Sequence, residues 1–262
     1  MSAAVSVAGR TAAWLDGVNP VTKILIALVL SVPLFATLDP VSASVAIVIE
    51  LACVPLTGLS VATVLRRLVP VVVFAPVAGI SMLLYAKPGG TVYGRFLFAT
   101  VSDDSIALSL AVMLRVLALG LPTILLFGRT DPTELADGLA QVAKLPSRFV
   151  LGVLAGARTV GLFVDDWRTM TLARRARGLG DRGAVRRFLG MAFVLLVFAV
   201  RRGTTLATAM EARGFGAPVD RTWSRPSRLH PRDGVALAGA IVLIAAALTI
   251  AVATGAFRFV GG

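Results

Sequence analysis

Residues 105–128 read SIALSLAVMLRVLALGLPTILLFG, a run in which Arg115 is the one charged side chain. About 20 residues of helix cross the ~30 Å hydrocarbon layer of a bilayer, so this run is long and apolar enough to span. Residues 21–38, 41–64, 68–86 and 234–254 have the same character. Their apolar positions form unbroken runs, whereas barrel strands alternate along ~10-residue segments. A helix satisfies its own backbone groups in hydrocarbon. The expected fold is therefore all-α: a polytopic membrane protein with about five transmembrane helices. Composition agrees, since 57% of the 262 residues are hydrophobic and 15% charged, against about 25% charged in soluble domains. Mean hydropathy is +0.86.

Cys53, the single cysteine, falls inside the second run, which excludes an intramolecular disulfide. The first run begins after some twenty residues and lacks an A-x-A cleavage pattern, so it is expected to be retained as a span.

Short loops that carry Lys and Arg stay on the cytoplasmic side. Arg66 and Arg67 separate the second and third runs, and Arg129 follows the fourth. The turn Leu38-Asp39-Pro40 has no positive charge, and Asp103 and Asp104 offset Lys87 and Arg95 in the other loop. The N-terminus and residues 129–232 are thus expected inside a plasma membrane, with the tail at 257–262 outside. Residues 129–232 carry 18 of the 26 Lys and Arg residues and 8 acidic ones, a net of +10. Positive-inside topology and attraction to anionic headgroups account for that charge. No interleaved aromatic platform points to nucleic acid. The expected organisation is a four-span region 1–129, a helical cytoplasmic or membrane-surface module 130–232, and a last span with its tail, 233–262.

Within the module the pattern turns amphipathic. Asp131-Pro132-Thr133-Glu134 reads as a helix start, and Leu135, Leu139 and Val142 share one face before Pro146 ends the helix. Two long patterns follow, 147–177 and 184–213, each apolar early. Arg174 and Arg175 make the close of the first basic, and Glu211 precedes the close of the second. The first ends Ala176-Arg177-Gly178-Leu179-Gly180 and the second Ala212-Arg213-Gly214-Phe215-Gly216, with Pro218 beyond. Glycine after the last helical residue supplies a left-handed cap. One arginine at such an end offsets the helix dipole. Two near-identical ends, 36 residues apart, point to a repeated docking element that meets a two-fold partner. Gly152-x-x-x-Gly156 on the first pattern allows close helix packing.

Other signals are set aside. None of the three lysines is followed by Ser or Thr, so the chain has no Walker A loop. Gly178 to Gly183 fits G-x-G-x-x-G, yet it follows a basic helix and not a strand. Asp165-Asp166 lacks a third carboxylate and is expected to pair with arginines of the neighbouring long helix. His230 has no metal-ligand cluster near it and reads as an exposed loop residue. Glu50 and Arg115, at membrane depth, are possible intramembrane polar sites. They read as an internal pair, or as Glu50 held protonated, with gating or partner contact as the alternative. No catalytic or metal site is expected.

These residues resemble the transmembrane T component of energy-coupling-factor (ECF) transporters for vitamins and metal ions. The resemblance covers nearly the whole chain. It rests on Leu15-Asp16 to Asn19-Pro20-Val21-Thr22-Lys23, on Thr130-Asp131-Pro132 to Leu145-Pro146, and above all on Ala176-Arg177-Gly178 and Ala212-Arg213-Gly214. Asn19 stands where the resemblance leads one to expect Asp. It implies that the two Arg motifs end coupling helices seated in grooves of two ABC-type ATPase subunits. Arg174, Arg175, Glu211 and Phe215 then support those ends. It also implies a separate membrane S component that captures substrate. ATP and Mg would be bound by the ATPases, and this chain would hold no cofactor and catalyse nothing. An autonomous secondary transporter or an intramembrane enzyme is the alternative; no inverted repeat of broken spans favours the former.

Overall fold

The computed structural model describes residues 13–85, 89–96, 99–178, 183–215, 222–255 and 257. The chain divides into two compact units: the described residues of Met1–Leu135 with Ser227–Gly262, and those of Ala136–Pro226.

The first unit opens with a 3-10 turn, Trp14–Gly17. Five α-helices and one hairpin follow: α1 (Pro20–Ala36), α2 (Pro40–Ala52), α3 (Val54–Thr57), α4 (Val61–Tyr85), the strands β1 (Val92–Phe96) and β2 (Ala99–Ser102), and α5 (Asp103–Phe127). Helix α6 (Pro132–Gln141) leads out of this unit, and α9 (Pro231–Ala253) completes it. Apolar residues at i, i+4, i+8 turn one face of α1 inward as Ile26, Leu30 and Leu34. They meet Ala43 and Ala46 of α2, Ala118 and Leu126 of α5, and Ala240, Ile244 and Ala247 of α9. Alanine at so many of these contacts lets the backbones approach closely, the usual device of helix packing in lipid. A second cluster joins Val54 of α3 and Val64 of α4 to Leu121 and Leu125 of α5. Ser109 of α5 donates a hydrogen bond to the carbonyl of Gly79 in α4 at 2.8 Å.

Helices α4, α5, α7 (Ser147–Ala176) and α9 are long and apolar enough to cross a membrane, while α1 and α2 are shorter apolar helices. The fold is thus helical and membrane-type, with three departures from expectation. Residues 41–64 do not form one span: α2 ends at Ala52, α3 follows, and Gly58 turns the chain left-handed at φ +61°. Arg129 explains that turn, because its guanidinium reaches the Gly58 carbonyl at 3.0 Å and a Cβ there would collide with it. Arg66 and Arg67 consequently lie inside α4 and not in a loop. Arg67 donates to the carbonyl of Gly128 at 2.6 Å, which ties α4 to the end of α5. Finally, the segment before α5 contains an antiparallel hairpin in which Val92 pairs with Ser102. Ser102 then caps α5, and Asp103 and Asp104 occupy its first turn, where carboxylates suit the helix dipole.

The second unit holds α7 and α8 (Ala184–Ala212), whose ends match the two long patterns read in the sequence. Trp167 of α7 packs on Phe188 of α8 with ring centroids 5.5 Å apart. Asp166 takes two hydrogen bonds from Arg202, at 2.6 and 3.2 Å. Asp166 therefore pairs across the two helices, as expected, whereas Asp165 turns to Arg168 of its own helix, 3.6 Å away. Residues early in α7 (Gly152, Gly156) share a cavity with residues late in α8 (Leu206, Met210), so the helices run in opposite senses.

Candidate functional site at the two arginine-capped helix ends

Helix α7 stops at Ala176 and α8 at Ala212, and Arg177 and Arg213 follow as the capping residues. Their backbones are nearly superimposable in angle: φ −87°, ψ 8° for Arg177 and φ −91°, ψ 11° for Arg213. The next residues, Gly178 and Gly214, are left-handed at φ +68° and +74°. Glycine occupies this region freely, while a Cβ would crowd the following carbonyl.

Hydrogen bonding repeats as well. The amide of Gly178 donates to the Arg175 carbonyl at 3.0 Å, and that of Gly214 to the Glu211 carbonyl at 2.9 Å. In α8 the Phe215 amide also reaches back to the Met210 carbonyl at 2.9 Å. These two bonds close a Schellman end, which consumes carbonyls a helix would otherwise leave open. Leu179, Gly180, Gly216 and Pro218 lie outside the described residues, as does most of the Gly178–Gly183 pattern.

Both arginines are exposed, and among the described residues neither guanidinium makes an ion pair or side-chain hydrogen bond. Ala176, Gly178, Ala212 and Gly214 are exposed with them, as are Arg175 and Glu211; Arg174 and Phe215 are half-buried. Each end thus presents a planar five-donor fork on a rigid stem. The contact of Trp167 with Phe188 sets the closing third of α7 beside the opening of α8. Arg177 and Arg213 therefore stand toward opposite ends of α8. Its 29 residues, at ~1.5 Å each, form a stem about 43 Å long behind Arg213.

The remaining candidates lie in the first unit. Glu50 is 2% exposed, and neither of its oxygens has a hydrogen-bond partner. The pair with Arg115 does not form. Arg115 is half-buried in α5 and has Asp39, the capping residue of α2, as its electrostatic partner. The helix order dictates this: Arg115 sits toward the Asp39 end of the unit and Glu50 in the last turn of α2. His230 is exposed and caps α9.

Sequence reading missed a polar clasp at the start of α1. The backbone amide of Asn19 donates to Asp233 Oδ1 at 2.7 Å, and that of His230 to Asp233 Oδ2 at 2.6 Å. The Asn19 side-chain amide donates to Ser227 Oγ at 2.9 Å and to the Arg228 carbonyl at 3.3 Å, while its Oδ1 caps Val21 at 3.0 Å. An aspartate at this position could cap Val21 but could not donate to Ser227 and Arg228, and it would set a second carboxylate beside Asp233. Asparagine in place of the expected aspartate is therefore a fitted residue. Lys23 adds a bond to Thr130 at 3.2 Å, and Arg129 an ion pair to Asp16 at 2.9 Å. The clue in the sequence was the polar group Asp16, Asn19 and Lys23 at the mouth of an apolar helix; its distant partners left no local pattern.

Residues 11–223 match the family described as cobalt transport protein, CbiQ, which takes in both arginine-capped ends. The chain belongs to that family. Among curated members of similar sequence are three energy-coupling factor transporter transmembrane proteins, EcfT. The one from Thermanaerovibrio acidaminovorans is 32% identical over 254 residues, 90% of this chain and 92% of the relative. Those from Brevibacillus brevis and Bacillus selenitireducens are each 26% identical, over 88% and 93% of this chain and 91% and 92% of their own length. As a CbiQ-family protein the chain is a membrane-embedded transport component and not an enzyme.

Proposed function

We propose that this CbiQ-family chain couples ATP hydrolysis in two ABC-type ATPase subunits to a substrate-binding membrane S component, importing a vitamin or a transition-metal ion. The observation that carries the reading is the identity of the two helix ends: the same left-handed glycine cap and the same exposed arginine, repeated. Two copies of one docking element call for two copies of one acceptor. A nucleotide-dependent ATPase pair has that symmetry.

Each arginine would enter a groove of one subunit and pair with carboxylates or carbonyls there. ATP and Mg belong to the ATPases. When they close, the distance between the two docked ends must change, and the long helices carry that change toward the membrane. The chain leaves the membrane unit after Leu135 and returns at Ser227, and Thr130 and Ser227 are bonded into the clasp around Asn19 and Lys23. Force on the levers thereby reaches α1 and α9. The exposed apolar residues of the levers, Phe149, Val153, Phe193 and Leu196 among them, would meet the S component or lipid. The excess of Lys and Arg in 129–232 favours a cytoplasmic location for the levers and the N-terminus. The membrane is then the bacterial plasma membrane, and nucleic acid has no part in the mechanism.

The test is co-purification of the tagged chain with its ATPases and measurement of ATP-driven uptake, in wild type, Arg177→Ala, Arg213→Ala and the double variant. Losing one side of a desolvated charged contact costs 2–5 kcal/mol. Each single change should weaken capture, and the double change should abolish capture or uptake. Unaltered capture and uptake in the double variant would falsify this reading.

A further inference from the structure

Helix α4 packs through one face only. Val64, Ala75 and Gly79 are its buried residues, and Val71 lies against Gly120 of α5 on the same side. At ~100° per residue the opposite side carries Arg66, Val69, Val73, Val77 and Ile80. The four apolar members are each more than half exposed. Arg66 is exposed with them and makes no ion pair or hydrogen bond among the described residues. From Arg66 to Val77 is about 16 Å of helix, the depth of one leaflet of a ~30 Å hydrocarbon layer. An unpaired cation thus heads an apolar stripe as long as an acyl chain. Its surroundings add positive charge and leave no carboxylate to answer it. Arg67, exposed beside it, spends one nitrogen on the Gly128 carbonyl, and Arg129 follows that glycine. Asp16 is taken by Arg129 at 2.9 Å, and Asp131 caps Thr133. The first turn of α4 has no acidic residue to offset the helix dipole. The ligand that completes this edge is an amphiphile with an anionic head.

We propose that Arg66 and Arg67 hold the phosphate of one anionic phospholipid, a phosphatidylglycerol, whose acyl chain lies along Val69, Val73 and Val77. Guanidinium forks match phosphate oxygens in charge and geometry. In ethanolamine and choline lipids a cation accompanies the phosphate, and the same two arginines repel it. A glycerol head brings no such cation. The site needs no ATPase, so it stands or falls apart from the proposed coupling function.

Native mass spectrometry of the purified full chain, titrated with palmitoyl-oleoyl phosphatidylglycerol, phosphatidylethanolamine or phosphatidylcholine, tests it. Wild type should retain one glycerol lipid about tenfold more tightly than either of the others. Arg66→Gln breaks no contact within the chain and should lower that retention about fivefold. Arg66→Lys keeps the charge and should stay within about twofold of wild type. Arg66→Gln combined with Arg67→Gln should bring the three lipids to within about twofold. Val73→Asn should weaken retention of all three about threefold. Arg232 is an exposed arginine of α9, beside Gly17, and Arg232→Gln should change nothing. Circular dichroism confirms that each variant is helical. Equal retention of the three lipids by wild type overturns the proposal, as does a glycerol-lipid preference that survives the double change. So does a loss on Arg232→Gln as large as that on Arg66→Gln, which marks diffuse surface charge only. Displacement of the lipid by inorganic phosphate, with retention indifferent to Val73→Asn, also overturns it, because the site is then one for a free anion.

Discussion

The two units use apolar residues in opposite ways. In the membrane unit α1, α2, α5 and α9 close on one another: Leu34 is 1% exposed, and Ala46, Ala118 and Ala247 are fully covered. In the lever unit no residue of α7 is buried, and Met191 alone is buried in α8, while Val153 and Val185 are each 73% exposed. Both α7 and α4 are long and apolar enough to cross a membrane, although α7 is the less apolar of the two. What separates them is whether the chain supplies its own packing partner. The membrane unit does. The levers keep their relation through Trp167, Phe188, Asp166 and Arg202 and leave the rest of their apolar surface for other molecules.

If that contrast is right, the units should respond separately to damage. The largest effect is expected from Asp233→Ala. The Asp233 carboxylate is buried and takes two backbone N–H bonds, from Asn19 and His230. Its loss strands donors where α1 and α9 begin, at a cost of about 3 kcal/mol. Hydrogen exchange should then quicken in α1 and the first turns of α9, with α7 and α8 unchanged. Equal acceleration in the levers would break the comparison, because the whole chain would be opening as one body. Asn19→Asp should act on the same elements with about 1–2 kcal/mol, since it removes the donors to Ser227 and Arg228.

How much could be read in advance divides along the same line. The limits of α7 and α8, and the start of α6 with its Asp131 cap to Thr133 at 2.7 Å, were legible because caps, glycines and prolines act within a few residues, whereas α6 ends at Gln141, well short of the expected stop at Pro146. The repeat at Arg177 and Arg213 was legible for the same reason. Breaks governed by distant partners were not. Gly58 bends because Arg129, far along the chain, needs its carbonyl. The α2–α3 break, by contrast, sits beside Pro55, and Gly58 ends α3 in a left-handed cap, a local mark that hydropathy alone passes over. Nor did hydropathy reveal the hairpin before α5. Glu50 and Arg115 were both recognised as unusual, but their separation along the membrane unit depends on helix register across four elements.

A middle-sized effect tests the lever unit itself. Arg202 is paired with Asp166, stands 5.8 Å from the ring centre of Phe163, and joins the two helices. The pair is partly exposed, so a coupling of about 1 kcal/mol is expected from a double-mutant cycle of Asp166→Ala and Arg202→Ala read by thermal unfolding in detergent. Coupling near zero would mean that apolar packing, Trp167 on Phe188 included, holds the levers together without the ion pair. The same variants should leave exchange in α1 and α9 untouched. Assembly with partners should slow exchange along α7 and α8 far more than at the contact face of α1, α2, α5 and α9, which is already covered.

The smallest effect is also the one that asks whether the two ends are truly equivalent. Gly178 and Gly214 adopt left-handed angles within a few degrees of each other, and at neither does a Cβ meet any neighbour within 4 Å. Substitution by alanine is therefore penalised by backbone conformation alone, about 1 kcal/mol at each site. Because the surroundings contribute nothing, Gly178→Ala and Gly214→Ala should fray α7 and α8 equally, as read by exchange at Ala176 and Ala212. An unequal response in the isolated chain would show that one end draws on contacts beyond its cap. Equal fraying in isolation, followed by unequal loss of ATPase capture, would place the asymmetry in the partners: two different acceptors reading one repeated element.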